Sequence, residues 1–497
     1  MSEAPEHHLE AARREALAEL RRRGVEPFAY RYDRTHSAAD ALAAYAPDGE
    51  ESVRVAGRLV ALRGHGKTMF AHLEDASGRI QLYFRRDELG DDRYEMVRLL
   101  HVGDLVGVDG KVFMTRTGEI TVRAADVTLL AKAVRPLPIG KSDAEGRQHG
   151  GLVDHETRYR QRYADLAVHP EVREVFRLRA RTVSYLRRFL DERGFLEVET
   201  PVLQPIYGGA MARPFTTHHL ALDRQLYLRI ATELYLKRCI VGGLERVYEI
   251  GKDFRNEGLD RSHNPEFTML ELYQAFADYE DMMALTEEMV EGVVRTLCGD
   301  ARIERFGTAL DFARPWRRAT YRELVHRHAG LDLADTDDAA LHAAVSAVSA
   351  GGTDPAGMSR PKLVDEVFKQ YVEPALEQPT FVVDFPIELS PLAKPKRGDP
   401  TLAERFEFFV LGRELANAFS ELNDPDDQRR RLEVQSAARA AGDQEAQVMD
   451  EDYVLALEYG LPPTGGIGLG IDRLVMLLAE QPSIRDVILF PQLRSEG

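Results

Sequence analysis

The chain has 497 residues, which is long enough for two or three domains, each with its own core. Its composition is 44% hydrophobic and 30% charged, and no run approaches the roughly 18 apolar residues of a membrane-spanning helix. The net charge of −17 argues against nonspecific nucleic-acid binding over the whole surface, although a local basic face is compatible with it.

The N-terminal region and the cysteines indicate the compartment. The first 24 residues carry charges throughout and lack the apolar segment of a secretory signal. Cys239 and Cys298 have no Cys or His cluster around them, so neither a disulfide framework nor a zinc site is indicated. We therefore expect a protein of the reducing cytoplasm.

Residues 1–50 predict a helical arm. Leu and Ala alternate with Glu and Arg at helical spacing from about Glu6, and the pattern stops at Gly24, ahead of Pro27. The basic end of this helix, Arg21 to Arg23, suits the negative end of a helix dipole, and a contact with RNA explains it equally well.

Residues 51–135 change to a β pattern. Five short strands separated by turns run from Ser52 to about Leu130, with a helical segment at Arg93–Leu100 before the fourth strand. This order is typical of an OB-fold barrel, which in different proteins binds many kinds of oligomer. The Pro-containing residues 136–150 predict a linker to a second domain, residues 151–497.

The second domain begins with a long amphipathic helix at Glu171–Glu192, followed by Gly194 and a strand that ends at Pro201. Further along, residues 225–238 pass from a strand into a helix whose first turn contains Glu233. A carboxylate at this position often only caps the helix, so the pattern alone does not assign it a ligand.

The segment from Val247 to Tyr273 predicts two strands joined by a long turn. Alternate side chains of a strand share a face, so Arg255 and Glu257 lie together at the end of the first strand. The corresponding face of the return strand consists of Phe267, Met269, Glu271 and Tyr273. A half-buried hairpin with a solvated face is the ordinary interpretation, but large rings beside paired charges argue against it.

Two further elements follow an Ala-rich, mostly helical region at residues 281–378, which predicts an insertion packed on the main sheet. In the first element, a hairpin turning at Gly412-Arg413 places Glu407 and Glu414 on one face. Asn417, Phe419 and Glu421 alternate onto one face. Simple alternation separates Glu414 from Asn417, so a pocket lined by both requires a β-bulge between them.

The last element is a glycine-rich strand from Gly465 that runs into an apolar helix through Asp472-Arg473. Glycines let a backbone approach a nucleotide closely, and Arg473 suits a phosphate. It is not a dinucleotide-binding fingerprint, because no βαβ unit follows.

Three of these segments, in order, resemble the motifs of class II aminoacyl-tRNA synthetases. The helix and strand ending at Pro201 resemble motif 1, Phe254 to Glu257 with Phe267 resembles motif 2, and the glycine-rich strand with Arg473 resembles motif 3. The longer run FRNEGLDRSHNPEFTMLELY resembles the lysyl-tRNA synthetases, and the resemblance extends over about residues 50–493.

The resemblance implies an α+β fold, in which the OB-fold barrel precedes a mostly antiparallel sheet flanked by helices. It also implies ATP-dependent activation of L-lysine to lysyl-adenylate, followed by transfer to the 3′ end of tRNA(Lys) in translation. The implied cofactor is Mg²⁺ with ATP as substrate, and the implied assembly is a homodimer in which Pro201 touches the partner's active site.

The same resemblance implies the residues that bind ATP and lysine. Arg255 and Arg473 are the implied catalytic residues, because they contact the phosphates and, for Arg255, the substrate carboxylate. The implied ATP site consists of Arg255, Glu257, His263, Asn264, Phe267, Glu407, Glu414 and Arg473, with Glu407 and Glu414 as the Mg²⁺ ligands. The implied lysine site consists of Gly209, Glu233, Arg255, Glu271, Tyr273, Asn417, Phe419 and Glu421.

Carboxylates and a phenol at the end of a slot suit lysine, because an ammonium has three donors and no acceptor. The chain departs from the family pattern at Leu220 and Met211, and the resemblance places both at the rim of the pocket.

In the barrel, the implied anticodon-binding residues are Phe70, Gln81 and Glu119. An isolated Phe on a strand is more often barrel core. A ring accompanied by neutral and acidic groups, however, is how proteins bind a single-stranded base.

Two other functions remain open at this point. A related enzyme that transfers lysine to a protein would lack the N-terminal barrel. A degenerate synthetase kept as an RNA-binding or regulatory module would have lost a phosphate-binding Arg or a Mg²⁺ carboxylate. The chain has the barrel pattern, and Arg255, Glu407, Glu414 and Arg473 are all present.

Overall fold

The computed structural model describes residues 5–47, 49, 51–142, 148–149, 151–348, 355–443 and 445–495. The chain forms two compact units, one of residues 1–154 with 163–168 and one of residues 155–162 with 169–497. Within the described ranges, no helix is both long and apolar enough to cross a membrane.

The first unit contains a closed five-stranded barrel, as the strand pattern predicted. Its elements are α1 (Pro5–Arg22), α2 (Ala38–Ala43), β1 (Ser52–His65), β2 (Thr68–Glu74), β3 (Arg79–Arg85), α3 (Arg86–Leu89), α4 (Asp91–Arg98), β4 (Leu105–Met114), β5 (Ile120–Ala131), β6 (Lys141–Ser142) and β7 (Gln148–His149). The strand order is β1-β2-β3-β5-β4, and the barrel closes because the long strand β1 pairs with both β4 and β2.

Alternation decides which barrel side chains are inside. Ala71, Leu73, Ile80 and Leu82 point inward and are almost fully buried. Helix α1 ends before Gly24, whose φ of 72° is a left-handed conformation that glycine adopts without strain. The predicted arm helix is therefore present with the predicted end.

The rest of the chain follows in the order α5 (His155–Arg160), α6 (Arg162–Val168), α7 (Pro170–Asp191), β8 (Leu196–Glu197), β9 (Leu203–Gln204), β10 (Thr216–His219), β11 (Arg224–Leu228), α8 (Glu233–Val241), β12 (Arg246–Phe254), β13 (Glu266–Ala275), α9 (Tyr279–Cys298), β14 (Arg302–Arg305), β15 (Thr308–Asp311), β16 (Arg317–Thr320), α10 (Tyr321–Ala329), α11 (Asp338–Val348), α12 (Arg360–Val367), β17 (Thr380–Pro386), β18 (Pro395–Lys396), β19 (Asp399–Val410), β20 (Arg413–Ser420), α13 (Pro425–Ala440), α14 (Glu451–Glu458), β21 (Thr464–Gly470), α15 (Ile471–Leu478) and α16 (Ile484–Val487).

The second unit is organised on one large sheet of order β16-β17-β19-β20-β21-β13-β12-β8, with β18 paired to β19. The pairs β8–β12 and β16–β17 are parallel, and the pairs between β17 and β12 are antiparallel. This is the mostly antiparallel sheet that the family resemblance implied.

One face of this sheet is closed by helices. Side chains of α7, α9 and α15 pack on it in a single apolar core. The strands contribute Tyr248, Leu270, Leu272, Phe406, Phe408, Ala416, Ala418, Ile467 and Leu469. Because neighbouring residues of a strand alternate faces, the residues between them point to the opposite face.

The region at residues 281–378 differs from the helical insertion that the sequence predicted. Helix α9 belongs to the main core, and the region contributes three strands, of which β16 extends the sheet beside β17. Helices α10, α11 and α12 pack in a separate cluster. Strand β16, with the sequence Arg-Arg-Ala-Thr, has no β pattern of its own, and pairing with β17 defines it.

Candidate active site

The face of the sheet opposite the helices brings the predicted site residues together. Side chains directly across a strand pair share a face, so the register alone places them in rows. One row runs through Glu249, Glu271, Gly468, Asn417 and Glu407. The next row runs through Val247, Tyr273, Gly466, Phe419 and Arg405.

The hairpin β19–β20 contains the bulge that the sequence required. The pairing slips by one residue between Phe408 and Phe409, which leaves Leu415 as the extra residue of β20. The bulge turns Glu414 to the same face as Asn417, so both can line one site.

The hairpin turn itself lies one residue earlier than predicted. Val410 pairs with Arg413, so Leu411 and Gly412 are the turn residues, with φ values of 50° and 67°. Two positive φ values are typical of a type I′ turn, whose twist matches that of the strands. The predicted turn at Gly412-Arg413 was therefore wrong by one position, although the faces it predicted for Glu407 and Glu414 are unchanged.

Buried carboxylates form one end of the site. The Glu271 carboxylate accepts hydrogen bonds from the Thr232 backbone N–H at 3.2 Å and from the Tyr273 hydroxyl at 3.1 Å. Glu421 is 1% exposed, and its Oε1 has no hydrogen-bond partner among the described residues. An unpaired buried acceptor of this kind is costly, and an incoming donor would remove that cost.

The glycine of the β21 strand that matters for this pocket is Gly466. A Cβ at this position would lie 2.1 Å from the Glu421 Oε1 atom and 2.5 Å from the Tyr273 ring. Any side chain at position 466 would therefore displace groups of the pocket.

Burial changes the ionisation of these groups. It raises the pKa of Glu271 to about 8, and the nearby carboxylates of Asp253 and Glu233 add to the rise. Burial also raises the pKa of Tyr273 well above its ordinary value, with the carboxylates of Glu233 and Glu271 acting in the same direction. These shifts favour the neutral phenol of Tyr273 and the protonated form of the Glu271 carboxyl at neutral pH.

Glu233 begins helix α8, but it does more than cap that helix. It is 7% exposed and accepts a hydrogen bond from Lys237 Nζ at 2.6 Å. Gly209 has a φ of 86°, and a Cβ on it would lie 3.1 Å from the Glu233 Cβ, so this backbone runs directly beside Glu233.

Lys237 is the residue of this pocket that the sequence analysis missed. It is fully buried and forms ion pairs with Glu233 and Glu421. One signal could have identified it: a lysine four residues after a glutamate in a mostly apolar helix, where the two side chains meet.

The phosphate-binding candidates lie at the other end of the site. Strand β12 ends at Phe254, so Arg255 and Glu257 follow the strand rather than belonging to it. The Arg255 guanidinium lies 5.0 Å from the centre of the Phe267 ring, and its Nε is buried without a hydrogen-bond partner in the described part of the chain. Arg473 donates to the Glu414 backbone oxygen at 2.8 Å and to its carboxylate at 3.1 Å.

The turn between β12 and β13 contains the remaining nucleotide candidates. Glu257 and His263 are exposed, and His263 Nδ1 lies 2.7 Å from an Asp260 carboxylate oxygen. Asn264 is buried; it donates to the Glu266 backbone oxygen at 2.5 Å, and its own side-chain oxygen has no partner among the described residues. Asn264 therefore has a hydrogen-bond acceptor that the described residues leave unused.

Glu407 and Glu414 face the same side of the sheet and repel each other. Burial raises the pKa of Glu407 to about 8, and the neighbouring Glu414 carboxylate adds to the rise. Glu373 is affected in the same way, with a pKa raised to about 7 by burial and then by Glu414. No group of three or more His, Cys, Asp or Glu side chains that could hold a metal occurs in the described ranges.

Pro201 and the two departures from the family pattern are at the surface. Pro201 is exposed, and the preceding Thr200 hydroxyl donates to Glu249 at 2.7 Å, which ties this loop to the row through Glu271. Leu220 is 87% exposed and Met211 is 44% exposed. In this chain, neither Leu220 nor Met211 is part of a core.

The barrel has a separate polar site on its outer surface. Phe70 is 37% exposed and stacks on Tyr83 with a centroid distance of 4.6 Å, so it is not a core residue. Gln81 donates to Glu119 at 2.6 Å and accepts from the Thr121 hydroxyl at 2.8 Å.

The sequence analysis missed two members of this surface, His72 and Tyr83, which lie directly across from Gln81 and Phe70, respectively. It also missed Thr121, which is buried and lies directly across from Gln81. Register would have identified them, but no local pattern fixes register in advance.

Comparison with known proteins gives a consistent result. Residues 154–494 match the family described as tRNA synthetases class II (D, K and N), and residues 53–130 match the OB-fold nucleic acid binding domain. The lysine–tRNA ligase of Carboxydothermus hydrogenoformans is 53% identical over 488 residues, which cover 98% of each chain. The lysine–tRNA ligase of Bacillus subtilis is 48% identical over 99% of this chain and 100% of its own length. That of Synechococcus sp. is 52% identical over 100% of this chain and 97% of its own.

Proposed function

This chain belongs to the lysine–tRNA ligases, class II aminoacyl-tRNA synthetases with an OB-fold domain, and from that premise we propose which residues perform each part of the reaction. The reaction activates lysine with ATP and transfers it to tRNA(Lys). One observation carries the assignment: buried carboxylates and a phenol share a sheet face with Phe267, and the Arg255 guanidinium lies against the Phe267 ring.

The lysine substrate lies along the two rows of the sheet face. Its α-ammonium binds Glu233 and the backbone at Gly209, and its carboxylate binds Arg255. Its ε-ammonium binds the deeper groups, with Asn417 and Phe419 along the sides. These deeper groups are Glu271, Tyr273 and Glu421. Methionine or leucine would leave buried carboxylates unpaired. The pocket rejects them because that unpaired state is costly.

ATP lies toward the Arg255 end. Phe267 stacks on adenine with Arg473 on the other side, and Arg255 binds the α-phosphate. Glu257, His263 and Asn264 contact the nucleotide, with His263 and Arg473 at the γ-phosphate end. The Arg255 Nε and Asn264 Oδ1 atoms support this placement. Both are buried without a hydrogen-bond partner among the described residues, and buried polar atoms usually have one.

Glu407 and Glu414 fit a Mg²⁺ ion. They are hard oxygen ligands, and a cation would offset the burial and the repulsion by Glu414 that raise the pKa of Glu407. Two carboxylates are sufficient when phosphate oxygens and water complete the coordination. When bound, the ion would neutralise phosphate charge as pyrophosphate leaves.

Catalysis then rests on positioning and charge. The lysine carboxylate attacks the α-phosphorus in line, and pyrophosphate leaves, so no side chain acts as a nucleophile. Arg255 holds both reacting groups with one guanidinium, and its planar fork suits this double contact. Arg473 stabilises charge on the departing phosphates.

The remaining parts of the chain serve the tRNA and the assembly. Residues 51–135 bind the anticodon, with Phe70 stacking on the central base while Gln81 and Glu119 bind its edge. Residues 151–497 form the catalytic domain, to which residues 136–150 are the linker and residues 1–50 the N-terminal arm. The enzyme is a homodimer in which Pro201 touches the partner's site, and it acts in the cytoplasm.

The test is lysine-dependent exchange of pyrophosphate into ATP, followed by charging of purified tRNA. We expect exchange with lysine and no exchange with methionine or leucine. Exchange that prefers aspartate or asparagine would overturn the pocket assignment. If lysine were transferred to a protein and not to tRNA, the chain would instead be the protein-modifying enzyme considered above.

A further inference from the structure

A lysine side chain already lies inside the pocket proposed for lysine. Lys237 Nζ is fully buried, bonds Glu233 at 2.6 Å and forms an ion pair with Glu421. Three rings surround it, with the Phe419 centroid at 5.3 Å and those of Tyr273 and Tyr453 at 6.0 Å. The resident ammonium therefore contacts two of the carboxylates that the substrate requires.

Packing alone does not account for this lysine. Its helix neighbours Leu236 and Ile240 are buried and apolar, and an apolar side chain of similar volume would fill position 237 without desolvating a charge. Buried ion pairs are often no more stable than such a replacement, so stability is a weak reason for keeping one. The carboxylates it contacts offer a better reason.

We propose that Lys237 is a positioning residue whose ammonium keeps Glu233 and Glu421 ionised and aimed at the substrate's two ammonium groups. This inference rests on the lysine pocket proposed above. Glu233, Glu271 and Glu421 would together carry three negative charges, and Lys237 leaves two of them for the two ammonium groups of lysine.

Electrostatics support this role. Burial leaves the pKa of Glu233 raised and that of Glu421 well above its ordinary value, and the Lys237 ammonium opposes both rises, so removing it would make both carboxyls harder still to ionise. Burial acts to lower the pKa of Lys237 itself, but the two carboxylates hold it well above its ordinary value. The ionisable groups that face this cluster are Glu233, Asp253, Glu271, Tyr273, Arg405, Glu421 and Tyr453.

The first experiment uses Lys237→Met, because methionine is unbranched and nearly matches lysine in volume. In pyrophosphate exchange we expect the KM for lysine at pH 7 to rise roughly tenfold or more, a factor of ten for each unit of carboxyl pKa released. The kcat at saturating lysine should change by less than about threefold, since Lys237 acts through Glu233 and Glu421 and itself contacts none of the reacting groups. The KM should also fall more steeply with pH than in the wild type.

Lys132→Met is the matched control. Lys132 is equally inaccessible and bonds Asp104 at 2.7 Å, but it lies in the barrel unit. We expect its lysine KM and pH profile to match the wild type. A Lys237→Met profile parallel to the wild type would overturn the proposal, because a purely structural lysine would not move it.

A measurement on the unaltered enzyme covers the case in which Lys237→Met does not fold. Calorimetric titration with lysine alone, in buffers of different ionisation enthalpy, counts the protons released on binding. At pH 7 we expect about one proton, from Glu271, whose pKa is raised to about 8. Release of two or more would show that Glu233 or Glu421 was protonated despite Lys237, and the proposal would be wrong.

Glu421→Gln separates this inference from the pocket assignment. If Glu421→Gln leaves the lysine KM unchanged, the pocket itself is misplaced, and the Lys237 proposal falls with it. If Glu421→Gln raises the KM while Lys237→Met behaves like the wild type, only the Lys237 proposal is wrong.

Discussion

The two polar sites of this protein differ in their access to water. On the barrel, the Glu119 side chain is 46% exposed, and it lies beside Gln81 and His72 at hydrogen-bond distance. In the catalytic unit, Glu271 and Glu421 are 6% and 1% exposed.

The comparison teaches how each site discriminates. A solvated carboxylate loses little when a contact is absent, because water replaces the partner, so the barrel depends on ring stacking and the sum of its contacts. Water cannot replace the partner of a buried carboxylate. A substrate with the wrong side chain therefore leaves the carboxylate unpaired and incurs the full free-energy cost of burying it. We therefore expect large single-residue effects in the catalytic unit and graded effects on the barrel.

The largest effect should come from Arg255→Ala, which removes contacts to both reacting groups. Activation should be abolished, because the change affects the rate with bound substrates as well as binding. The measurement is lysine-dependent pyrophosphate exchange at saturating lysine and ATP. Arg255→Lys is the control, because it keeps the positive charge but lacks the planar guanidinium with its paired donors. Its exchange rate should lie between those of Arg255→Ala and the wild type. Normal pyrophosphate exchange in Arg255→Ala would contradict the motif 2 assignment.

Glu271→Gln should cost about 1.5–3 kcal/mol of lysine binding in the transition state, the range for a hydrogen bond to a charged group. The measurement is kcat/KM for exchange with lysine, ornithine, arginine and methionine. Ornithine should be the hardest competitor to exclude, since it keeps the side-chain ammonium and differs from lysine only in its shorter side chain.

Glu291→Gln is the matched control for this change. Glu291 is 7% exposed against 6% for Glu271, but it pairs with Arg295 and Arg314 away from the sheet face. Its lysine kinetics should match the wild type. An unchanged kcat/KM for lysine in Glu271→Gln would remove Glu271 from the pocket.

Phe70→Ala tests the other side of the comparison. It should weaken tRNA charging by about 1–3 kcal/mol, the range for stacking of one base on a ring, and leave lysine activation intact. Phe28→Ala is the control, since Phe28 is a 44% exposed ring of the same unit outside this surface. A joint loss of charging and activation would mean that Phe70 supports the fold instead.

The pH dependence of lysine binding sharpens the comparison further. Burial raises the pKa of Glu271 to about 8, so below that pH the carboxyl must lose a proton to bind an ammonium. The KM for lysine should therefore fall about tenfold between pH 6 and pH 7. Glu271→Gln should flatten this profile, and a wild-type KM that is constant over the same range would contradict the raised pKa.

Local pattern alone determined much of this protein. The period-two runs from Ser52 to about Leu130 specified five barrel strands, and Gly24 marked the end of the arm helix, because alternation and glycine geometry are properties of a few adjacent residues. The family resemblance, which puts Glu414 and Asn417 in one pocket, added the expectation of a bulge between them, and the bulge lies at Leu415.

Only the tertiary structure decided the rest. Strand β16 exists because β17 pairs with it, and His72 and Tyr83 join the barrel surface through register across strands. Lys237 became a pocket residue because Glu421, distant in sequence, meets it inside the fold. Burial then set the ionisation of these groups, and burial depends on which distant segments cover a side chain rather than on its neighbours in sequence.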